Sequence, residues 1–380
     1  MTGQDGVCKD KPYVHWLYQA VGMGNRRLMK KLSELGTAEE IYELARKRRL
    51  VGKISEKYHQ KAKHLEMAAQ NYDVKEEYEK LGQDGISFVV LGEREYPVKL
   101  AAVSDAPYAL YYAGRLPGND EKAVALIGTR NCSEYGRYMA GQFGKSLAMA
   151  GIQVISGMAR GIDGIGQQAA LDAKGYSLGV LGCGVKICYP PEHKPLYEQL
   201  IAAGGICSEY PPDIEPRAML FPPRNRIISG LCDAVLVIEA KERSGTLITV
   251  DMALEQGREV YALPGRATDP LSQGCNQLIR QGAALVTSPQ ELVRELKPDA
   301  DNDGRADHVQ QALFEIGGTG GQLLKLLDYQ PKSMEQIQRE YGAAYGCHVS
   351  IPKLCHELLQ LCAVGYARQV TGSYYVKTRE

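Results

Sequence analysis

The sequence predicts an α/β protein: a Rossmann-like, doubly wound parallel sheet flanked by an N-terminal small helical (SAM/helix-hairpin-helix-like) domain and a C-terminal winged helix. Three observations predict it. From Val124 onward, short apolar runs alternate strictly with segments of helical period, the pattern of a parallel sheet covered on both faces. Before Ile86 the periodicity is helical, and beyond a polar, turn-rich stretch three helical segments precede a hairpin. The boundaries that follow are residues 1–85, 86–297, a linker at 298–318, and 319–380. A chain of 380 residues is long enough for two or three such units.

In the first unit, Val14, Leu17 and Val21, then Leu28, Leu32 and Leu35, form apolar faces on either side of Val21-Gly22-Met23-Gly24. A Gly-x-Gly turn between short helices can offer backbone N–H groups to a DNA phosphate; it is equally an ordinary turn in a small helical domain. The Lys- and Arg-rich stretch from Arg46 to His64 reads as a solvated face. Strands then follow at 86–91 and 109–112, around a loop punctuated by Tyr96-Pro97 and Ala106-Pro107.

Further strands are expected at 124–127, 152–155, 177–181, 205–208, 234–239, 259–263 and 284–286. Helices are expected at 133–150, 161–173, 194–203, 222–231, 244–256 and 272–281. The unit at 124–157 shows the logic. Val124–Ile127 is a buried strand that ends in Gly128-Thr129-Arg130. Ser133 is an N-cap, Glu134 suits the positive end of the helix dipole, and Gly151 closes the helix. A second strand follows and ends in Ser156-Gly157. Beyond the linker, Leu323, Leu324 and Leu327 mark one helix, Ser333 caps the next, and Ser350 caps a third bearing Leu354, Leu358 and Leu361. A hairpin at 364–368 and 374–377 turns at Thr371-Gly372.

The strand ends share one chemistry. They read Gly128-Thr129-Arg130, Ser156-Gly157-Met158-Ala159-Arg160-Gly161, Gly182-Cys183-Gly184 and, after Glu239, Arg243-Ser244-Gly245-Thr246. Gly, Ala, Ser and Thr permit close backbone approach to phosphate, and in an open parallel sheet the ligand lies beyond the carboxyl ends of the strands. Arg224-Asn225-Arg226 adds two guanidinium groups at a helix start, and Lys186 and Lys194 lie near the same edge. Tyr189 and Phe221 are placed to stack on unpaired bases, which is tolerant of sequence; Tyr189 reads equally as a plain loop anchor.

Composition narrows the classes. With 45 basic and 45 acidic side chains the formal net charge is zero, which argues against a basic coat but not against a local basic groove. No apolar run reaches the length of a membrane span, and the first residues lack a signal-peptide apolar block, so a cytoplasmic protein is expected. The 10 cysteines form no C-x-x-C pair; they read as reduced thiols, with no metal site. A nicotinamide dinucleotide is disfavoured, because the first turn has only Gly128 before Gly136 and no carboxylate ends the second strand. No cofactor is expected. No G-x-S-x-G elbow or P-loop lysine appears, and Asp163, Glu209 and Glu239 lack an evident His partner, so no catalytic residue is assigned. Asp163 reads better as a cap or a loop-orienting group. A row of anion sites matches the backbone of single-stranded nucleic acid better than one metabolite.

Taken together, Ile127-Gly128-Thr129-Arg130, Ser156–Asp163, Tyr189-Pro190, Phe221–Ile228, Arg243–Thr249 and Leu263-Pro264-Gly265 resemble the DNA-processing protein A (DprA/Smf) family over about residues 86–297. The resemblance implies a non-enzymatic, sequence-independent binder of single-stranded DNA. It also implies a homodimer that protects incoming strands and loads the RecA recombinase onto them during natural transformation. Arg130 takes the place of the family's main phosphate contact, and Lys186 or Lys194 that of its lysine. The chain departs from the family in having Gln167 where a His is usual and Pro191 where a basic residue is common. The charge on the third C-terminal helix, Lys353 and His356 beside Glu357, is too sparse for major-groove contact. The alternative reading is a Rossmann-like nucleotide-processing hydrolase, whose Gly-Gly-x-Gly-Thr loop would fall at Arg243–Thr246. A transcription regulator acting through 319–380 is a third.

Overall fold

The apolar runs from Val124 onward become the parallel part of one nine-stranded sheet in a computed structural model that describes residues 10–21, 26–298, 318–347, 349–363, 366–370 and 374–378. Five helices come first: α1 (Lys11–Val21), α2 (Arg26–Ser33), α3 (Ala38–Arg46), α4 (His59–Ala68) and α5 (Val74–Gln83). Then follow β1 (Ser87–Val90), α6 (Val98–Ala101), β2 (Ala109–Gly114), β3 (Ala123–Ile127), α7 (Glu134–Met149), β4 (Gln153–Ser156), α8 (Ile162–Asp172) and β5 (Ser177–Val180). The chain continues through α9 (Lys194–Ala203), β6 (Gly205–Ser208), α10 (Phe221–Gly230), β7 (Ala234–Val237), α11 (Gly245–Glu255), β8 (Glu259–Ala262), α12 (Gln273–Arg280), β9 (Ala284–Leu285) and α13 (Pro289–Leu296). The predicted Gly22-Met23-Gly24 turn, most of the linker and the Thr371-Gly372 turn lie outside the described residues.

The strand order is β1-β2-β6-β5-β4-β3-β7-β8-β9. Strands β3 to β9 are parallel to one another. From β3 the chain winds outward to β6, then returns to place β7 on the other side of β3, with Ile127 opposite Val237. The order reverses between β3 and β7, so the crevice for a ligand opens there. The sheet is mixed, not purely parallel. β1 pairs antiparallel with β2, Phe88 opposite Tyr111, and β2 pairs antiparallel with β6. The segment joining β1 to β2 holds only the four-residue α6 and returns to the same edge without crossing over.

Both sheet faces are covered. Phe143, Leu147 and Leu292 pack on one side, and Ile227, Leu231 and Val250 on the other. The N-terminal helices share one core with the β1–β2 edge: Trp16 is fully buried, and His15 Nδ1 lies 2.8 Å from the Tyr111 hydroxyl. Helix α7 starts at the predicted cap, where Ser133 Oγ accepts from Gly136 N at 3.0 Å, and ends before Gly151 at φ +65°. Helix α13 was not anticipated, although Ser288-Pro289-Gln290-Glu291 carries a cap, a first-turn proline and an acidic first turn. The C-terminal unit holds α14 (Gly318–Leu326), β10 (Lys332–Ser333), α15 (Met334–Tyr345), α16 (Ile351–Ala363), β11 (Ala367–Gln369) and β12 (Tyr374–Lys377). Its strands pair antiparallel in the order β10-β12-β11.

Candidate nucleic-acid interface

The rim is built around the loop after β4, which three side chains fix from below. Asp163, in the first turn of α8, accepts a hydrogen bond from Gly157 N at 3.1 Å. Gln167, one turn further on, accepts from Met158 N at 3.0 Å and donates to Leu178 O at 2.9 Å, holding Met158 at φ +53°. Arg224 of α10 donates through Nη1 to Gly157 O at 2.9 Å and to Val180 O, tying the ends of β4 and β5. Burial raises the Asp163 carboxyl above its ordinary range, against the pull of Arg224 and the backbone donors. Burial likewise lowers the Arg224 guanidinium, opposed by Asp163. Asp163 is thus a loop-orienting group, as expected.

On this wall rests the turn after β3. Thr129 N donates to Glu239 O at 2.8 Å, and Ile162 N donates to Thr129 O at 3.3 Å. Gly161, at φ +73°, packs so closely that a Cβ would lie 2.4 Å from Thr129 O; no other residue fits. Arg130 is left exposed at the lip, with no ion pair among the described residues. Its guanidinium carbon lies 6.0 Å from the centre of the Phe221 ring, and Arg224 approaches the same ring at 5.8 Å. Tyr189, 40% exposed, has its ring centre 5.5 Å from that of Phe221.

Two neighbouring helix N-termini are treated differently. At α7, where a Rossmann dinucleotide would place its pyrophosphate, the site is filled from within. Glu239, just past β7, accepts from both Ser133 N (2.9 Å) and Ser133 Oγ, and a Cβ on Gly136 would lie 2.2 Å from its carboxylate. Burial raises this carboxyl too, while the Ser133 bonds hold it down. A resident carboxylate leaves no room for a second anion. At α11 the end is open. Ser244 caps Thr246 N at 3.2 Å, and nothing lies within 4 Å of where a Gly245 Cβ would stand.

Beside that open end lies a groove of about 360 Å³, lined among others by Gly128, Thr129, Arg130, Ala159, Phe221, Arg224, Asn225, Ser244, Gly245 and Thr246. A smaller recess joins Arg130, Ala159, Tyr189 and Phe221. Of the remaining sequence candidates, Gly157 forms part of the recess wall and the others lie outside both cavities. Ser156 is fully buried and donates to Leu126 O at 2.6 Å. Gly157 is covered by the Arg224 guanidinium, Gly182 by the Phe221 ring, and Gly184 by the Pro212 carbonyl. Lys186 turns away to Asp84 (2.5 Å) and Asp213 (3.5 Å). Lys194 pairs with Glu198 at 3.3 Å, one turn along α9. Arg226 is buried between Glu209 and Asp105, a structural ion pair. Two basic groups were missed. Lys241 lines the groove two residues beyond Glu239, a strand-end position that marked it; Arg137 sits on the first turn of α7 with no comparable signal.

Among the described residues no group of His, Cys, Asp or Glu is placed to hold a metal, and no helix is long and apolar enough to cross a membrane. Burial pushes the Cys183 and Cys207 thiols up to about 12, so both are protonated at neutral pH.

The family model described as DNA recombination-mediator protein A matches residues 87–297, the whole sheet and its rim. The chain belongs to this family. It is 39% identical to Protein Smf of Escherichia coli over 73% of this chain and 74% of that protein. To the DNA processing protein DprA of Bacillus subtilis it is 38% identical over 56% and 72%. Among solved structures, DprA from Streptococcus pneumoniae covers 75% of this chain and 97% of its own, with a TM-score of 0.60 at 30% identity. DprA from Helicobacter pylori, described for its single-stranded DNA binding mode, covers 56% of this chain and 96% of its own, with a TM-score of 0.51 at 30% identity. This membership agrees with the mixed α/β architecture and its Rossmann-type core.

Proposed function

We propose that this protein binds single-stranded DNA without sequence preference, through the rim groove, as a non-enzymatic DNA-processing protein. One observation carries the reading. Arg130, exposed and uncommitted, is shared by the groove and the smaller recess at the switch point, and an aromatic pair stands beside it. A free guanidinium, open backbone N–H groups and stackable rings are what a flexible sugar-phosphate chain requires. The relatives' names and the Helicobacter pylori structure support DNA as the ligand. In this reading Gly128, Thr129, Asn225, Ser244, Gly245 and Thr246 complete the phosphate contacts, with Tyr189 and Phe221 against bases.

The family's description as a recombination mediator supports the further steps: protection of incoming strands in transformation and delivery to RecA recombinase. A homodimer in the cytoplasm belongs to the same proposal, supported by the unpaired edge of β9, where Leu285 is half-exposed. So does the division into a helical unit, the sheet domain, a linker and a C-terminal winged helix.

Arg130→Ala is expected to weaken binding to all single-stranded sequences alike, roughly tenfold, and to flatten the salt dependence by about 0.7 in log–log slope. A salt titration with mixed-sequence and thymidine oligonucleotides measures both. An unchanged slope removes Arg130 from the contact. Incubation with nucleoside monophosphates is expected to release no free base; release would favour the hydrolase.

A further inference from the structure

A second and larger cavity opens on the far side of Arg130. It is a cleft of about 800 Å³, walled by the first turn of α7, by α8 along its length and by the segment leading into and beginning α9. It has more than twice the volume of the rim groove and falls at the upper end of the roughly 300–1,000 Å³ typical of ligand sites. We propose that this cleft carries the next stretch of the same DNA strand, with Arg137 as its phosphate contact. The proposal rests on the reading of the rim groove as a single-strand site.

Continuity is the first argument. Arg130 forms a wall of both cavities, so the two adjoin at its side chain. A strand held at Arg130 therefore borders the cleft as well as the groove. Charge is the second. Arg137 is exposed and has no ion pair among the described residues, so its guanidinium is uncommitted. Arg160 stands near it, paired among the described residues with Glu192, and both of those side chains are about half exposed. Such an exposed pair is worth little and yields readily to a phosphate.

Asp172 lies at the far end of α8, where it accepts from Gln168 at 2.8 Å. The carboxylates of the cleft are thus Glu192, engaged with Arg160, and Asp172, at the other end of α8, which leaves Arg130 and Arg137 as its uncommitted charges among the described residues. Polarity is the third argument. No Phe, Tyr or Trp ring lines this cleft among the described residues, and its imidazole, His193, is tied to the Met158 carbonyl at 3.1 Å, so bases would face solvent while the backbone is held. That suits an extended polymer passing through. It does not suit a nucleotide captured by its base, which needs a stacking surface.

The test uses the full chain with two thymidine oligonucleotides, one just long enough to fill the rim groove and one several times longer. Arg137→Ala is expected to weaken the long oligonucleotide roughly tenfold, with its salt slope falling by about 0.7, and to leave the short one unchanged. Arg137→Lys is expected to restore most of the loss, and a thermal melt checks that each variant folds. Equal loss on both lengths, or loss on neither, overturns the cleft as a strand path. So does an Arg137→Lys variant as weak as Arg137→Ala. Arg130→Ala is the separating control: if it weakens neither oligonucleotide, the groove reading itself falls, whereas a cleft failure leaves the Arg130 effect intact.

Discussion

The lip and the wall of one rim carry the same residue type in opposite surroundings. Arg130, at the lip, is exposed and uncommitted. Arg226, in the wall, is buried, donates to Asp105 O at 2.7 Å and pairs with Glu209. Arg224 is deeper still: it closes the floor through backbone carbonyls, and its Nε has no hydrogen-bond partner among the described residues. The difference teaches that an arginine at this edge of the sheet is left free for a ligand or committed as a structural brace according to its depth.

The largest effect should come from the wall. Arg226→Ala strands the Glu209 carboxylate in a buried site, and removing one partner of a buried pair costs about 3–5 kcal/mol. Urea unfolding is expected to show that loss. Arg130→Ala should stay within about 0.5 kcal/mol of the parent protein, as surface substitutions do. Equal destabilisation by the two would erase the distinction between lip and wall.

A third buried basic group sharpens the comparison, because it avoids burying a charge by losing it. His15 is buried at the β1–β2 edge between Gln19 and Tyr111, and burial lowers its pKa to about 4. The unfolded value is about 6.5. The neutral ring therefore contributes stability that is present above pH 6.5 and is lost as pH falls toward 4. Between pH 7 and pH 5 that loss is about 2 kcal/mol. His15→Gln is expected to flatten the stability profile by that amount relative to the parent. An unchanged profile would mean that the ring is charged in the folded protein.

Much of this was legible in the sequence because it is local. The strand-terminal Gly-Thr-Arg followed an unmistakable apolar run, and Ser133 and Ser333 cap the helices they precede. What escaped depends on contacts distant in sequence. Glu239 reaches Ser133 across 106 positions, and no spacing rule announces it. β1 and β2 carry ordinary strand patterns that say nothing of parallel or antiparallel partners. The Arg224-Asn225-Arg226 run was half legible. Pro222 and Pro223 fix the start of α10 at Phe221, and helical period then places Asn225 on the Phe221 face and Arg226 away from it. Depth remained invisible: the Arg224 guanidinium bonds to two carbonyls that only the folded sheet brings together.

The smallest effect tests the two helix ends. Ser244→Ala removes the cap of α11 and Ser133→Ala that of α7, each costing about 1 kcal/mol in the free protein. Their behaviour should diverge once an oligonucleotide is added. A phosphate at the open end of α11 would take over the N–H groups that Ser244 had satisfied, so the Ser244→Ala penalty should shrink in the bound state. The Ser133→Ala penalty should persist, because Glu239 already fills the α7 end and admits no anion. Melting temperatures with and without saturating oligothymidine measure both. If the Ser244→Ala penalty is unchanged by DNA, the end of α11 is not a phosphate contact, and the strand is held by Arg130 and the aromatic pair without it.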